Sequence, residues 1–295
     1  MTTTTLDPRI HTGHGEHPLR TTAATGEAMW PIQATARIAG ALWLLIAVLA
    51  GFVHFYVPGQ LLVPGDATAT ATRIMASPGL LRTSIAAELV LLLSELVVAL
   101  LIYFLLRPVG RTLSLVAAVS RLAMIAIHGF NVVNLATVLL LLSGAGYLAV
   151  FESHQLHALA MLFLDTYSAG FSFGMAFFAL HFFPLGYLIY RSGYFPRILG
   201  VLFLVAGVAY VIDTFSFVLV AGYKTGAVYF ALPIAVAESA FPLWLLTKGV
   251  RATQWDRLAG VNARRDAAAR DSFGACPTSV GSADLTLAAA VGGAR

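Results

Sequence analysis

Residues 80–129 read LLRTSIAAELVLLLSELVVALLIYFLLRPVGRTLSLVAAVSRLAMIAIHG, and this stretch decides the fold. Two long apolar arms meet at a short turn, 107–111, that carries Arg107, Pro108, Gly110 and Arg111. About 20 residues at 1.5 Å rise cross a hydrocarbon layer about 30 Å thick, and each arm exceeds that length. The arms are therefore expected as two membrane spans packed antiparallel. Each nevertheless carries ionisable groups, Glu88 and Glu95 in the first and Arg121 and His128 in the second. A charge in hydrocarbon costs about 3 kcal/mol or more, so these groups are expected to face a protein interior and to find partners.

Working outward from the hairpin, further apolar runs fall at 38–57, 169–190, 198–220 and 228–246, and with 80–106 and 113–142 they make six spans. Composition agrees: 59% of the 295 residues are hydrophobic and 11% are charged, with a mean hydropathy of +0.83. So few charges cannot coat a soluble surface. Arg9, Arg20, Arg37, the turns 107–111 and 191–197 and the C-terminal tail carry most Lys and Arg on one side, against Arg73, Lys224 and Arg82 on the other. The excess of positive charge places both ends in the cytoplasm. The expected fold is thus all-α, a polytopic transmembrane bundle in the plasma membrane with disordered tails. Its segments are a cytoplasmic tail over 1–35, a six-helix domain over 36–247, a basic amphipathic segment over 248–270 and a disordered tail over 271–295. The amphipathic run 156–168 extends the fourth span or lies along the outer surface. Pro184 and Pro242 are expected to kink their spans.

The polar residues at depth form a pattern. Glu88 and Glu95 share a helix face, as do Arg121 and His128, each pair being two turns apart. In an antiparallel hairpin, residues at equal depth have a constant sum of residue numbers. Glu95 with Arg121 and Glu88 with His128 give the same sum, so one register pairs both couples. Counted from the cytoplasmic ends at 1.5 Å per residue, Glu95, Arg121, His181 and Glu238 fall at about 12–16 Å. Glu88, His128, Asp213 and His54 fall at about 22–27 Å. Two polar layers suggest a pocket or a proton path, with Asn131 and Asp165 as further lining candidates. The competing reading makes the buried pairs clamps that fix helix register. Asn131 and Asn134 also fit interhelical hydrogen bonding, and Gly170 and Gly174 fit close helix packing.

The tails add little chemistry. His11, His14 and His17 lie in a segment without apolar periodicity, Cys276 is the lone cysteine, and no nucleotide, metalloprotease or esterase motif occurs. No metal site, cofactor or nucleic-acid partner is expected. In the run KGVRATQWDRLAGVNARRDAAAR (248–270), Trp255, Leu258 and Val261 sit three apart among Arg251, Arg257, Arg264 and Arg265. Such a basic helix is suited to the anionic inner leaflet; the alternative is a solvated tail that only enforces topology.

Several stretches together carry a family likeness: RIAGALWLLIAVLAG (37–51), LLVPGDATATATRIMAS (61–77), SRLAMIAIHGFNVVNL (120–135) and the run 164–213 from LDTYSAG to VAYVID. The chain from 38 to 217 resembles a bacterial family known as domain of unknown function 4386. The resemblance implies a six-span membrane protein and carries no activity with it. Motif positions that match are Arg121, Asn131, Asn134, Asp165, Ser168, Gly170, Gly174, His181, Gly186, Pro196, Gly200 and Asp213. Two places depart from the family pattern: Tyr167 stands where it has His, and Phe173 where it has a polar residue.

Three functions compete. The buried ionisable layers favour a protein that binds or transports a small molecule or protons. A carboxyl group in a dry cavity also suits general-acid catalysis on a lipid-like or isoprenoid substrate, with Trp43, Phe178, Tyr210 and Trp244 as aromatics, although these suit lipid or packing contacts better. The third function is a non-catalytic sensor or assembly subunit.

Overall fold

The computed structural model describes residues 31–223 and 228–274. The expectations for His11, His14, His17, Arg9, Arg20, Lys224 and Cys276 lie outside them. Among the described residues the chain is entirely helical: α1 Ile32–Gly51, α2 Val57–Leu61, α3 Ala67–Ala76, α4 Pro78–Leu106, α5 Arg111–Leu141, α6 Ser153–Ser192, α7 Arg197–Leu219, α8 Val228–Thr247 and α9 Ala252–Gly274. Five stretches are long and apolar enough to cross a membrane: Ile32–Leu61, Pro78–Leu106, Arg111–Leu141, Ser153–Ser192 and Arg197–Leu219. The apolar stretch Leu232–Thr247 in α8 is shorter. This is a multi-pass membrane protein.

The long helices close into a ring in chain order, α1 on α4, α4 on α5, α5 on α6, α6 on α7, α7 on α8, and α8 back on α1. Two close approaches seal it. A Cβ on Gly200 would lie 2.6 Å from the Gly186 carbonyl oxygen, and one on Gly40 would lie 2.8 Å from that of Pro242. Only glycine lets α6 meet α7, and α1 meet α8, at backbone distance. Outward faces stay apolar, with Leu93, Val119, Leu180 and Val208 exposed, as lipid contact requires.

Local chemistry sets the helix ends. Pro31 starts α1 six residues ahead of the expected span, and its polar first turn is used, since Gln33 bonds both the N–H and the carbonyl of Val250. Between α1 and α2 the chain widens into a π-helical segment, Phe52–Tyr56. Pro58 follows it; a proline has no N–H for the residue four back, here His54, and its ring crowds that carbonyl. The amphipathic run 156–168 continues directly into the fourth span, giving the 40-residue α6. At about 60 Å this helix is twice the hydrocarbon thickness, and α3 packs along it. It begins with a capping box formed by Glu152 and Gln155 and ends at Gly193 with φ +71°. Pro184, Pro233 and Pro242 all lie within continuous helix.

Two apolar clusters bracket the polar layers. The larger holds Phe182, Leu185, Leu188, Ile189, Phe203, Phe241 and Leu245, all fully buried. These residues fill the end of the ring that bears the turns 107–111 and 192–196, and the cluster continues around the polar centre through Trp43, Leu91, Met124 and Phe178. The smaller joins Val57, Leu61, Ile74, Leu81, Leu135, Val138, Ala160 and Leu164 at the opposite end. Helix α9 fastens the first end. Trp255 Nε1 donates to the Leu105 carbonyl at 3.0 Å, and Asn262 Nδ2 donates to that of Pro108 at 2.7 Å. Trp255 and Leu258 turn toward the protein core, so the apolar side of α9 is used on the bundle and its arginines point away, Arg251, Arg257, Arg264 and Arg265 all being exposed.

Candidate functional site

Arg121 on α5 is completely buried, with 0% of its surface exposed. Its Nε donates to Glu95 on α4, and its Nη1 lies 3.2 Å from His181 Nε2 on α6. Arginine only donates, so His181 Nε2 is the acceptor. His181 Nδ1 then carries the hydrogen and donates to the Ala117 carbonyl at 2.7 Å. The guanidinium carbon also sits 4.4 Å from the Trp43 ring centre and 5.4 Å from that of Phe178. Each such contact contributes about 0.5–2 kcal/mol. Nη2 has no hydrogen-bond partner. Glu95 and Arg121 thus form the pair expected from the hairpin register.

The second couple does not form. Glu88 accepts from Tyr167 Oη at 3.4 Å and lies 3.6 Å from His54 Nε2. His128 instead donates through Nε2 to the Phe171 carbonyl at 3.1 Å, its ring stacked on Phe171 at 4.9 Å. The cause lies on α6. A Cβ on Gly174 would overlap the His128 ring, and one on Gly170 would overlap the Asn131 amide. The glycine pair is therefore a set of seats for polar side chains of α5. Asn131 Nδ2 donates to the Tyr167 carbonyl at 2.8 Å and takes a bond from Asn134. The predicted pairing of Glu88 with His128 is absent; the missing side chains on α6 give His128 a seat against Phe171 instead.

Glu238 on α8 takes a 2.8 Å bond from Tyr210 Oη on α7. With it, all six helices of the ring reach the centre, through Trp43, Glu95, Arg121, Phe178 and His181, Tyr210 and Glu238. Beside this node lies a cavity of about 110 Å3. Its polar lining is Glu95, Glu238, His54, His128 and Tyr210, and Trp43, Phe171, Phe178, Met124 and Met175 supply apolar wall. It joins the two polar layers. Arg121 and His181 stand behind the wall and do not line it.

Two candidates lie elsewhere. Asp165 is on an exposed face of α6, because the glycine face of that helix, not the Asp165 face, turns toward α5. Asp213, near the end of α7, is bonded by Tyr223 Oη at 2.7 Å and is not in the cavity wall. Conversely, Trp43, Phe178 and Tyr210 line the cavity where lipid or packing contacts were expected. His54 is placed there by the π-helical segment, whose only sequence signal is the proline that follows it.

The ring of apolar helices around a charged, hollow centre defines a polytopic membrane protein with a polar interior. The profile of the family described as a domain of unknown function (DUF4386) matches residues 38–249, and the chain belongs to that family. The matched region takes in every helix of the ring. An uncharacterised protein from Archaeoglobus fulgidus is 31% identical over 166 residues, 56% of this chain and 83% of that protein. That relative is archaeal, so the kinship is not confined to bacteria. No solved structure matches.

The geometry makes a test. Glu95→Gln leaves the Arg121 guanidinium without its countercharge and is expected to cost about 3–5 kcal/mol, read as a lowered unfolding midpoint in detergent. The double variant Glu95→Leu with Arg121→Met is expected to recover most of that loss. An unchanged midpoint in Glu95→Gln would contradict a buried pair.

Proposed function

We propose that this protein spans the cytoplasmic membrane six times, with both ends inside, and uses the hollow centre of its ring to bind a small molecule. The observation that carries the reading is the cavity. Side chains from the middle and outer layers share one wall, which a set of register clamps would not need. The sixth span is α8, which closes the ring between α7 and α1. Arg107, Arg111, Arg191 and Arg197 gather at the end fastened by α9, and this supports a cytoplasmic placement for that end. There the exposed Arg251, Arg257, Arg264 and Arg265 would meet anionic headgroups.

Binding would take place from the His54 side. Toward the α9 end the centre is filled by Phe182, Phe203, Phe241 and their neighbours, all fully buried. Passage to the other side would require those rings to move, so transport is a second step beyond binding.

Topology is tested by thiol labelling in cells after Cys276→Ser. An impermeant maleimide is expected to label Tyr147→Cys, in the turn between α5 and α6, and to leave Asn262→Cys unlabelled until the membrane is opened; the reverse pattern would invert the orientation. Occupancy is tested by filling the cavity with Ala47→Trp and screening both proteins by thermal unfolding against small neutral, cationic and anionic compounds. Compounds are expected to raise the midpoint of the parent by about 2–4 °C per kcal/mol of binding, and not that of the filled variant. Equal shifts in both would remove the cavity as the binding site.

A further inference from the structure

We infer that the cavity takes a compact organic cation, a small ammonium group with an apolar shell. This rests on the reading of the cavity as a binding site and names the chemistry of its ligand.

The argument starts from charge balance within the wall. Two carboxylates line the cavity, Glu95 and Glu238, and no Lys or Arg is in its wall among the described residues. The one guanidinium at the node, Arg121, is bonded through Nε to Glu95 and through Nη1 to His181, keeps Nη2 without a hydrogen-bond partner, and does not line the cavity. Glu238 takes its hydrogen bond from a neutral phenol, Tyr210 Oη, and shares the charge of Arg121 with Glu95. One guanidinium between two carboxylates leaves the half-buried Glu238 under-compensated. A cation placed in the cavity supplies what the protein does not.

The rest of the wall suits the same ligand. An aromatic face attracts a desolvated cation by about 0.5–2 kcal/mol; Trp43, Phe171, Phe178 and Tyr210 border the space, with one face of Trp43 and of Phe178 already turned to Arg121 and Phe171 packed on His54 and His128. Met124 and Met175 add polarizable, adaptable surface. His54 and His128 are not rivals for Glu238: His54 faces Glu88 at 3.6 Å, and His128 is spent on the Phe171 carbonyl at 3.1 Å. Size sets the limit. A space of about 110 Å3 is well below the roughly 300–1,000 Å3 of sites for drug-sized ligands, so the part of a ligand held inside it is the size of a single substituted ammonium.

Three probes of one shape separate charge from shape: tetramethylammonium, tert-butanol and trimethylacetate, each tested on the full-length protein in nanodiscs at constant ionic strength. Tetramethylammonium is expected to raise the unfolding midpoint, the other two to do little, and Glu238→Gln to weaken its apparent affinity at least tenfold. Should Glu238→Gln fail to fold, Tyr210→Phe keeps the ring and frees the carboxylate. Binding of tetramethylammonium is then expected to strengthen, and weakening would overturn the inference. If tert-butanol binds as well as the cation, and Ala47→Trp abolishes both, the site stands and the cation does not. If no probe binds, the cation inference falls, and the binding reading is decided by the wider screen of the parent against Ala47→Trp.

Discussion

A fully buried guanidinium imposes the arrangement of this bundle. Arg121 exposes none of its surface, so its charge must be met inside the ring. Breaking such a contact strands a charge in a medium of low dielectric, which is far costlier than losing a surface bond. Glu95 supplies the countercharge, His181 a lone pair, and Trp43 and Phe178 their ring faces. These partners come from α4, α6 and α1, so a single side chain on α5 fixes three neighbours in depth and rotation. Around it the apolar surfaces have little choice of register.

The hollow follows from what that constraint leaves unfilled. Large polar and aromatic side chains aimed at one centre cannot close-pack as aliphatic ones do, and the fully buried rings of Phe182, Phe203 and Phe241 fill only the end fastened by α9. On the other side, Gly170 and Gly174 remove bulk from α6 and let His128 and Asn131 lean across to it. His54 is turned inward by the π-helical segment ahead of Pro58. The space between is lined by acids, imidazoles and aromatics from all six helices of the ring. The proposed binding function would use this space, which a purely structural centre would not need.

Much of the architecture was legible in the sequence because lipid imposes simple rules. Runs of apolar residues marked the helices, Arg-bearing turns marked one end, and the equal sums within the hairpin brought Glu95 to Arg121. The same arithmetic could not see that α6 would offer two glycine seats, so it paired Glu88 with His128 when the acid in fact meets Tyr167 and His54. Depth can be counted along a chain; rotation about each helix depends on neighbours far away in sequence. That is why Tyr210 with Glu238, the exposure of Asp165 and the inward turn of Trp255 had no local signal. The ring order itself was equally hidden, since it depends on α8 returning to α1 across Gly40.

The central claim concerns one contact within the membrane, and it can be observed there. In protein reconstituted in lipid bilayers, dipolar recoupling between 15N in the Arg121 side chain and the 13C-labelled carboxyl of Glu95 measures their separation. Direct contact, within about 4 Å, with guanidinium protons shifted upfield by the Trp43 ring, is the expected result. An absent coupling together with unshifted protons would place Arg121 outside the ring, and the account of the bundle and its cavity would fail with it.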